Sequence, residues 1–377
     1  MKTKRNLKRG TCKINYIPAV DKDIKAVIEV DAIRHNLHFL KSKTKTEIMP
    51  VLKADAYGHG LVEVARVLRK MKVAHLGVAT LGEAILLRKS GDRGRILSWM
   101  YNVDGQEFKD GLKLNLDIAI FDETSIPKIK KMVPKGVRIK VTMFVDTGIN
   151  RAGIPYDKAF QAVEEVAACD KFDLVGLMSH LVCSEVRNSP IVHAQLAKFR
   201  ALRDRLKGVG INPPLVHIAN TMAGLNYDVS DFTLARSGCG IYGIAENPHL
   251  KIAMTVKSVV IQLKDLGKGE GIGYNWKYIT PKKMKMAVVP VGYADILPWS
   301  AGKLHVYING TKRKVLGAIS MDQISVEARD HDSVNDEVTI FGNGSNCPQT
   351  IFDVAGKMLP IEILCHLGYR INRTYLA

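Results

Sequence analysis

Between residues 46 and 238, apolar runs of strand length alternate with segments of helical spacing. This alternation limits the possible folds more than any other feature of the chain. The apolar runs are TEIMPVLKA, AHLGVAT, RILSWM, LDIAIF, RIKVTMFV, FDLVGLMSH, LVHIAN and FTLARSG, and segments such as LVEVARVLRKM, YDKAFQAVEEVAAC and HAQLAKFRALRDRLKG lie between them. Strands that recur with a crossover between neighbours make a parallel sheet covered by helices. Eight such repeats fit a closed (β/α)8 TIM-type barrel better than an open sheet, whose edge strands would be more polar.

After about residue 245 the texture changes to short β-rich runs (AMTVKSVVIQL, KMAVVPVGYA, KLHVYING, ISVEA, DEVTIFG) separated by Gly, Asn, Pro and Asp turns. One late helical segment falls near residues 350–359. The pattern predicts an α/β chain in three parts: a basic tail over 1–20, a barrel over 21–245 and a mainly antiparallel β domain over 246–377. The run AVIEVD at 26–31 fits a strand of either domain. The tail is expected to be loosely ordered, as termini often are.

A chain of 377 residues with 46% hydrophobic content can bury one or two large cores. No apolar run reaches the length of a membrane span, and no apolar segment follows the basic N-terminus to make a secretory signal. The six cysteines are scattered without a CxxC pair, which argues for reduced thiols in a cytoplasmic protein and against a zinc site. The net charge of +18 raises the question of nucleic acid, but six of the basic residues (Lys2, Lys4, Arg5, Lys8, Arg9, Lys13) lie in the tail. No nucleic-acid-binding motif accompanies them, so a basic surface that attracts small anions is the better reading.

Barrel enzymes work at the C-terminal ends of their strands. Here those ends carry Lys53 and Tyr57, then Arg151, His180, His217, Asn220 with Thr221, and Arg236 before Ser237, Gly238 and Cys239. Each has an ordinary reading as a structural histidine, an ion-pair partner or a lysine that reaches solvent just past its strand. Together they make a cationic rim suited to an anionic ligand. Small residues after the seventh and eighth strands leave backbone N–H groups free to approach a phosphate. A phosphate there and a lysine at the tip of the first strand would describe a pyridoxal 5'-phosphate site, with the amine condensing with the aldehyde and the ring acting as an electron sink. That chemistry needs a neutral amine, which burial and neighbouring cations favour.

VLKADAYGHG (51–60), DTGINRAG, GLMSHLVCSE, HIANTMAG, ARSGCGIYG, GIGYNW, VPVGYAD and GAISMDQ follow one another in an order that resembles the fold-type III alanine racemases. The resemblance runs from about residue 24 to the C-terminus. It implies pyridoxal 5'-phosphate, no metal, and interconversion of L- and D-alanine that supplies D-alanine for peptidoglycan. It also implies a homodimer with shared active sites. Carried over, Lys53 would hold the cofactor and act as one base, and Tyr274 of the partner subunit would be the base on the opposite face. His180 and Arg236 would assist Tyr274 as nearby cations, with Arg236 also facing the ring nitrogen. Tyr57, Asn220, Thr221, Gly238 and Cys239 would hold the cofactor around its phosphate. Arg151 would lie near the substrate carboxylate, and Tyr293 and Met321 from the partner would line the substrate entrance.

Three positions depart from the family pattern. Phe144 stands where many members carry a lysine that orients the arginine, Ile361 where a tyrosine often reaches the phosphate, and Ile296 where glycine is usual. A serine or broad-specificity racemase on the same scaffold is the alternative within enzymes. A decarboxylase fits less well, because Arg236 replaces the acidic partner expected at the ring nitrogen. A non-catalytic cofactor carrier would not need Tyr274 opposite Lys53.

Overall fold

The computed structural model describes residues 23–299, 304–343 and 347–376; the tail over 1–20 lies outside them. The chain opens with β1 (Lys25–Glu29) and the helix Val30–Thr44, and then enters the barrel. Its strands are β2 (Glu47–Pro50), β3 (His75–Thr80), β4 (Arg95–Met100), β5 (Asp117–Ile120), β6 (Ile139–Asp146), β8 (Phe172–Met178), β9 (Leu215–His217) and β10 (Leu234–Ser237). The two-residue strand β7 (Ile154–Pro155) pairs at the side of β6. Neighbours from β3 to β9 pair in parallel, and so do β10 and β2. Backbone bonds close the ring: Leu52 N donates to Gly77 O at 2.8 Å, Thr233 N to Val216 O at 3.0 Å and Arg236 N to Ala219 O at 2.9 Å. The eight apolar runs of the sequence are these eight strands.

The covering helices follow the same logic. In Leu61–Lys70 the buried residues are Leu61, Val64, Ala65 and Leu68, spaced three or four apart so that one face meets the sheet. Inside the barrel, Met49, Leu97, Ala119, Phe144, Met178 and Leu234 form one cluster drawn from six strands. Burying each larger member contributes about 1.5–3 kcal/mol. Trp99 and Phe121 pack on this plug, and above it the strand ends open into a cavity.

The second half is a sheet of β11 (Met254–Val259), β12 (Gln262–Leu266), β15 (Met284–Val289), β16 (His305–Ile308), β17 (Thr311–Leu316), β18 (Ile324–Ala328), β19 (Glu337–Phe341) and β20 (Asn372–Leu376). The short strands β13 (Gly271–Ile272) and β14 (Tyr278–Ile279) form a separate ribbon. The nine-stranded order is β12-β15-β18-β17-β16-β19-β11-β1-β20, antiparallel throughout except between β1 and β20. Strand β1, which the sequence left open between the two domains, therefore pairs in this sheet. The late helical segment near 350–359 is the short helix Ile351–Ala355, which stops at Gly356 (φ +59°); a further helix, Pro360–Cys365, follows with Pro360 at its first turn. Among the described residues no helix is long and apolar enough to cross a membrane.

Candidate active site

Lys53 opens the turn that follows β2, and that turn is wound the wrong way. Ala54, Asp55, Ala56 and Tyr57 all have φ of +53° or +54°. Left-handed backbone costs a residue other than glycine about 1–2 kcal/mol, so the surroundings must hold it. Glu83 does part of this: one carboxylate oxygen accepts from Ala54 N at 2.6 Å, and the other accepts from Ala79 N and Thr80 N at 3.0 and 2.9 Å. The same glutamate completes a capping box with Thr80 at the start of the helix Leu81–Lys89. Aromatic rings fill the inner side of the turn. Tyr57 lies 5.1 Å from Tyr242, and the buried His59 stacks on Tyr242 at 4.5 Å. Burial, and then the charge of Arg151, lower the Lys53 pKa below the ordinary lysine value, which favours the neutral amine.

Arg236, on β10, is only 5% exposed. Its Nη1 donates to His217 O at 3.0 Å and Nδ1 at 2.6 Å, and its Nη2 to Ser179 O at 2.6 Å, Ile218 O at 3.3 Å and His180 Nδ1 at 3.3 Å. Its Nε has no hydrogen bond among the described residues. Burial lowers its pKa to about 10, which still leaves it charged near neutral pH. An arginine only donates, so both histidines accept through Nδ1 and carry their proton on Nε2. Burial and the charges of Arg236, Arg151 and Lys53 push the His180 pKa down to about 3. The expectation that His180 assists as a cation is thereby corrected: near neutral pH it is an uncharged donor. His217 is likewise held well below its ordinary value by burial and by Arg236. Gln195, from the helix Pro190–Gly208, fixes the loop by donating to His180 O at 3.2 Å and accepting from Val182 N at 3.0 Å.

Next to this network, Asn220 caps the helix Thr221–Asn226 by accepting from Ala223 N at 2.9 Å and takes a second bond from Ser184 Oγ at 2.7 Å. Thr221 Oγ1 meets Ser237 Oγ at 2.9 Å and accepts from Gly240 N at 3.3 Å. A Cβ at Gly238 would overlap Tyr57 Oη, so only glycine lets the phenol and the loop come together. Burial pushes the Cys239 thiol up, away from the thiolate. Lys53, Tyr57, Arg151, His180, Asn220, Thr221, Arg236, Gly238 and Cys239 all line one cavity of about 650 Å³.

Arg151 is exposed and has no hydrogen bond or ion pair among the described residues. Phe144, at the position where the family pattern often has a lysine, is buried in the barrel plug and lines the same cavity without offering a polar group. Ile361 packs against the main core, and Ile296 is 4% exposed within it. Trp99, Met100, Tyr101 and Phe121 also wall the cavity. Sequence reading passed over them because it searched the strand tips for polar groups, although the same tips carry them.

Tyr274, Tyr293 and Met321 do not reach this cavity within the chain. They are 71%, 41% and 52% exposed on the β domain, accompanied by Trp276 and Trp299. Tyr293 N donates to Ser320 O at 3.1 Å and Ala294 N to Met321 O at 3.0 Å, which joins the loops carrying two of them. Arg370 ties the same loops together through Asp295 at 3.0 Å and Asp322 at 2.6 Å.

Two family models match the chain: alanine racemase, N-terminal domain, over residues 28–246, and alanine racemase, C-terminal domain, over residues 253–375. It is 33% identical over 366 residues to the alanine racemase of Mycobacterium leprae and 32% identical over 366 residues to that of Mycobacterium avium. Each alignment covers 93% of this chain and 94% of the relative. The crystal structure of alanine racemase from D-cycloserine-producing Streptomyces lavendulae superposes with a TM-score of 0.88 at 30% identity, covering 95% of this chain and 98% of that one. The chain belongs to the alanine racemase family of amino-acid isomerases.

Proposed function

We propose that the protein interconverts L- and D-alanine with pyridoxal 5'-phosphate, using Lys53 and Tyr274 of the partner subunit as bases on opposite faces of the substrate, and that the D-alanine serves peptidoglycan. The observation that carries this reading is Lys53: its pKa is lowered, and it sits at a barrel-strand tip in a cavity that also holds Arg236 and a glycine-dependent corner of small residues. The residues fit the cofactor. Gly238, Cys239, Thr221, Asn220 and Tyr57 would hold its phosphate, and the Nε of Arg236 would face its ring nitrogen. When bound, pyridoxal phosphate supplies an aldehyde for the amine and a ring that spreads the electron pair left at the substrate Cα.

The chain's own groups do the rest. Lys53, as the neutral amine, takes or returns a proton at Cα from one face. Tyr274 of the partner subunit holds a proton at its phenol oxygen on the other, because each enantiomer must lose its proton to a different side. Arg236 remains charged and can only donate, so it would leave the ring nitrogen of a bound cofactor unprotonated and make the electron sink weaker. That favours return of the proton to Cα over delivery elsewhere. His180, neutral and fixed by Gln195, offers Nε2–H toward the cavity. Arg151 would meet the substrate carboxylate.

The test is to incubate the purified protein with each enantiomer of alanine, serine, lysine and arginine and to follow chiral products. Borohydride reduction and peptide mapping would locate the labelled lysine. D-alanine from L-alanine, with the label on Lys53, is expected. Efficient turnover of serine would favour the broader-specificity reading, and carbon dioxide in place of the mirror-image product would overturn the proposal.

A further inference from the structure

The turn behind Lys53 is held by a part of the chain more than three hundred residues away. In β20, Arg373 meets the Asp55 carboxylate at 2.7 Å, and its Nε donates to Gly58 O at 2.7 Å. Two residues on, Tyr375 Oη donates to His59 O at 2.9 Å. That approach depends on Gly60, where a Cβ would overlap the phenol oxygen. Asp55 also accepts from Leu61 N at 2.7 Å, which ties the turn to the next helix. The four left-handed residues thus have Glu83 at one end and β20 at the other. Backbone in a sparsely populated region persists only where its neighbours over-determine it.

We infer that Arg373 is a positioning residue for Lys53: by gripping Asp55 and Gly58 together, β20 holds the left-handed turn and so aims the Lys53 amine into the cavity. The inference rests on the proposed role of Lys53. Charge alone does not explain the arrangement, because the Asp55 side chain is 49% exposed and exposed ion pairs contribute little. What Arg373 adds is geometry. Its planar fork spans a carboxylate and a carbonyl that this turn brings side by side, and a lysine, as a single point charge, would not reproduce both contacts.

The test compares the unaltered protein with Arg373→Ala, Arg373→Lys, Asp55→Asn and the Asp55→Asn/Arg373→Ala pair. Three quantities are read: amide hydrogen exchange of residues 54–61, the rate at which pyridoxal phosphate and borohydride label Lys53, and kcat and KM for alanine. Arg373→Ala is expected to speed exchange in that segment and not elsewhere, and to slow labelling and lower kcat about tenfold with KM little changed. Arg373→Lys should recover part of the loss, and the pair should be no worse than Arg373→Ala alone, because the two residues act through one contact. If Arg373→Ala does not fold, Tyr375→Phe removes a single hydrogen bond from the same strap, and the same local rise in exchange is expected. Unchanged exchange and labelling in a folded variant, with Lys53 labelled as usual, would overturn this inference alone. No label on Lys53 in the unaltered protein would instead overturn the function beneath it.

Discussion

The barrel rim and the β-domain patch are opposite in construction. At the rim the polar groups around Arg236 are withdrawn from water and bound to one another, Arg151 standing apart: Arg236 donates to three carbonyls and two histidines. On the β domain, Tyr274, Trp276, Tyr293, Trp299 and Met321 are between 41% and 71% exposed. Large apolar side chains gathered on a surface mark a place where something docks. The barrel thus gathers Lys53, Arg151, His180 and Arg236 around one cavity of its own. Tyr274, the proposed second base, stays instead on the exposed surface of the β domain.

The most severe way to break that comparison is to disable each half separately and then mix them. Lys53→Ala should cost at least about 10⁴-fold in racemisation, and Tyr274→Phe about 10²–10⁴-fold while leaving the cofactor absorbance in place. Co-expressed, the two inactive variants should regain activity at about a quarter of the sites, because a hybrid two-fold dimer holds one site with both native residues. Chiral assay of the mixture checks this. A mixture as inactive as its parents would mean that Tyr274 does not act across subunits.

A smaller effect separates the two rim arginines. Arg236→Met leaves buried acceptors without their donor, each at about 1–3 kcal/mol, so its urea midpoint should fall sharply. Arg151→Met breaks no bond among the described residues, and its stability should change by less than about 0.5 kcal/mol. Its KM for alanine should nevertheless rise about tenfold through loss of a charge-assisted contact to the carboxylate. Equal stability losses in the two variants would mean that Arg151 is also held by the fold.

How much of this the sequence could reveal depended on the range of the interaction. The eight barrel strands were legible because burial on both faces leaves an apolar run, and the rim was legible because strand tips converge in any closed barrel. Three features were not. The pairing of β1 with β11 and β20 joins segments more than two hundred residues apart, with no local mark of their register. The left-handed turn at Ala54–Tyr57 contains no glycine, so nothing in its composition gave it away. Gln195 looked like an ordinary helix residue, and only the fold brings it to His180; His217 was legible at a strand tip, but its bond to Arg236 was not. His180 was correctly placed on the rim, but its charge state depends on those neighbours and could not be read from sequence.

That charge state gives the smallest effect and the finest test of the contrast between the two regions. The folded pKa values of His180, about 3, and of His59, about 4, both lie below the ordinary histidine value of 6.5, with burial the main cause in each. Between pH 6.5 and those values the unfolded chain binds protons that the folded chain refuses, so stability falls as pH falls through that window. The slope approaches about 1.36 kcal/mol per pH unit for each fully buried group. His59, buried completely, should approach that limit. His180, at the cavity wall, should give less, because solvent reaches one side of it. His180→Gln keeps an N–H donor and removes the titration, so urea unfolding measured from pH 6.5 to 4 should show a shallower loss of stability than the unaltered protein. If His180→Gln left the slope as it was, His180 would not be a group that the fold holds neutral, and the contrast between a buried polar network and an open surface would lose its electrostatic part.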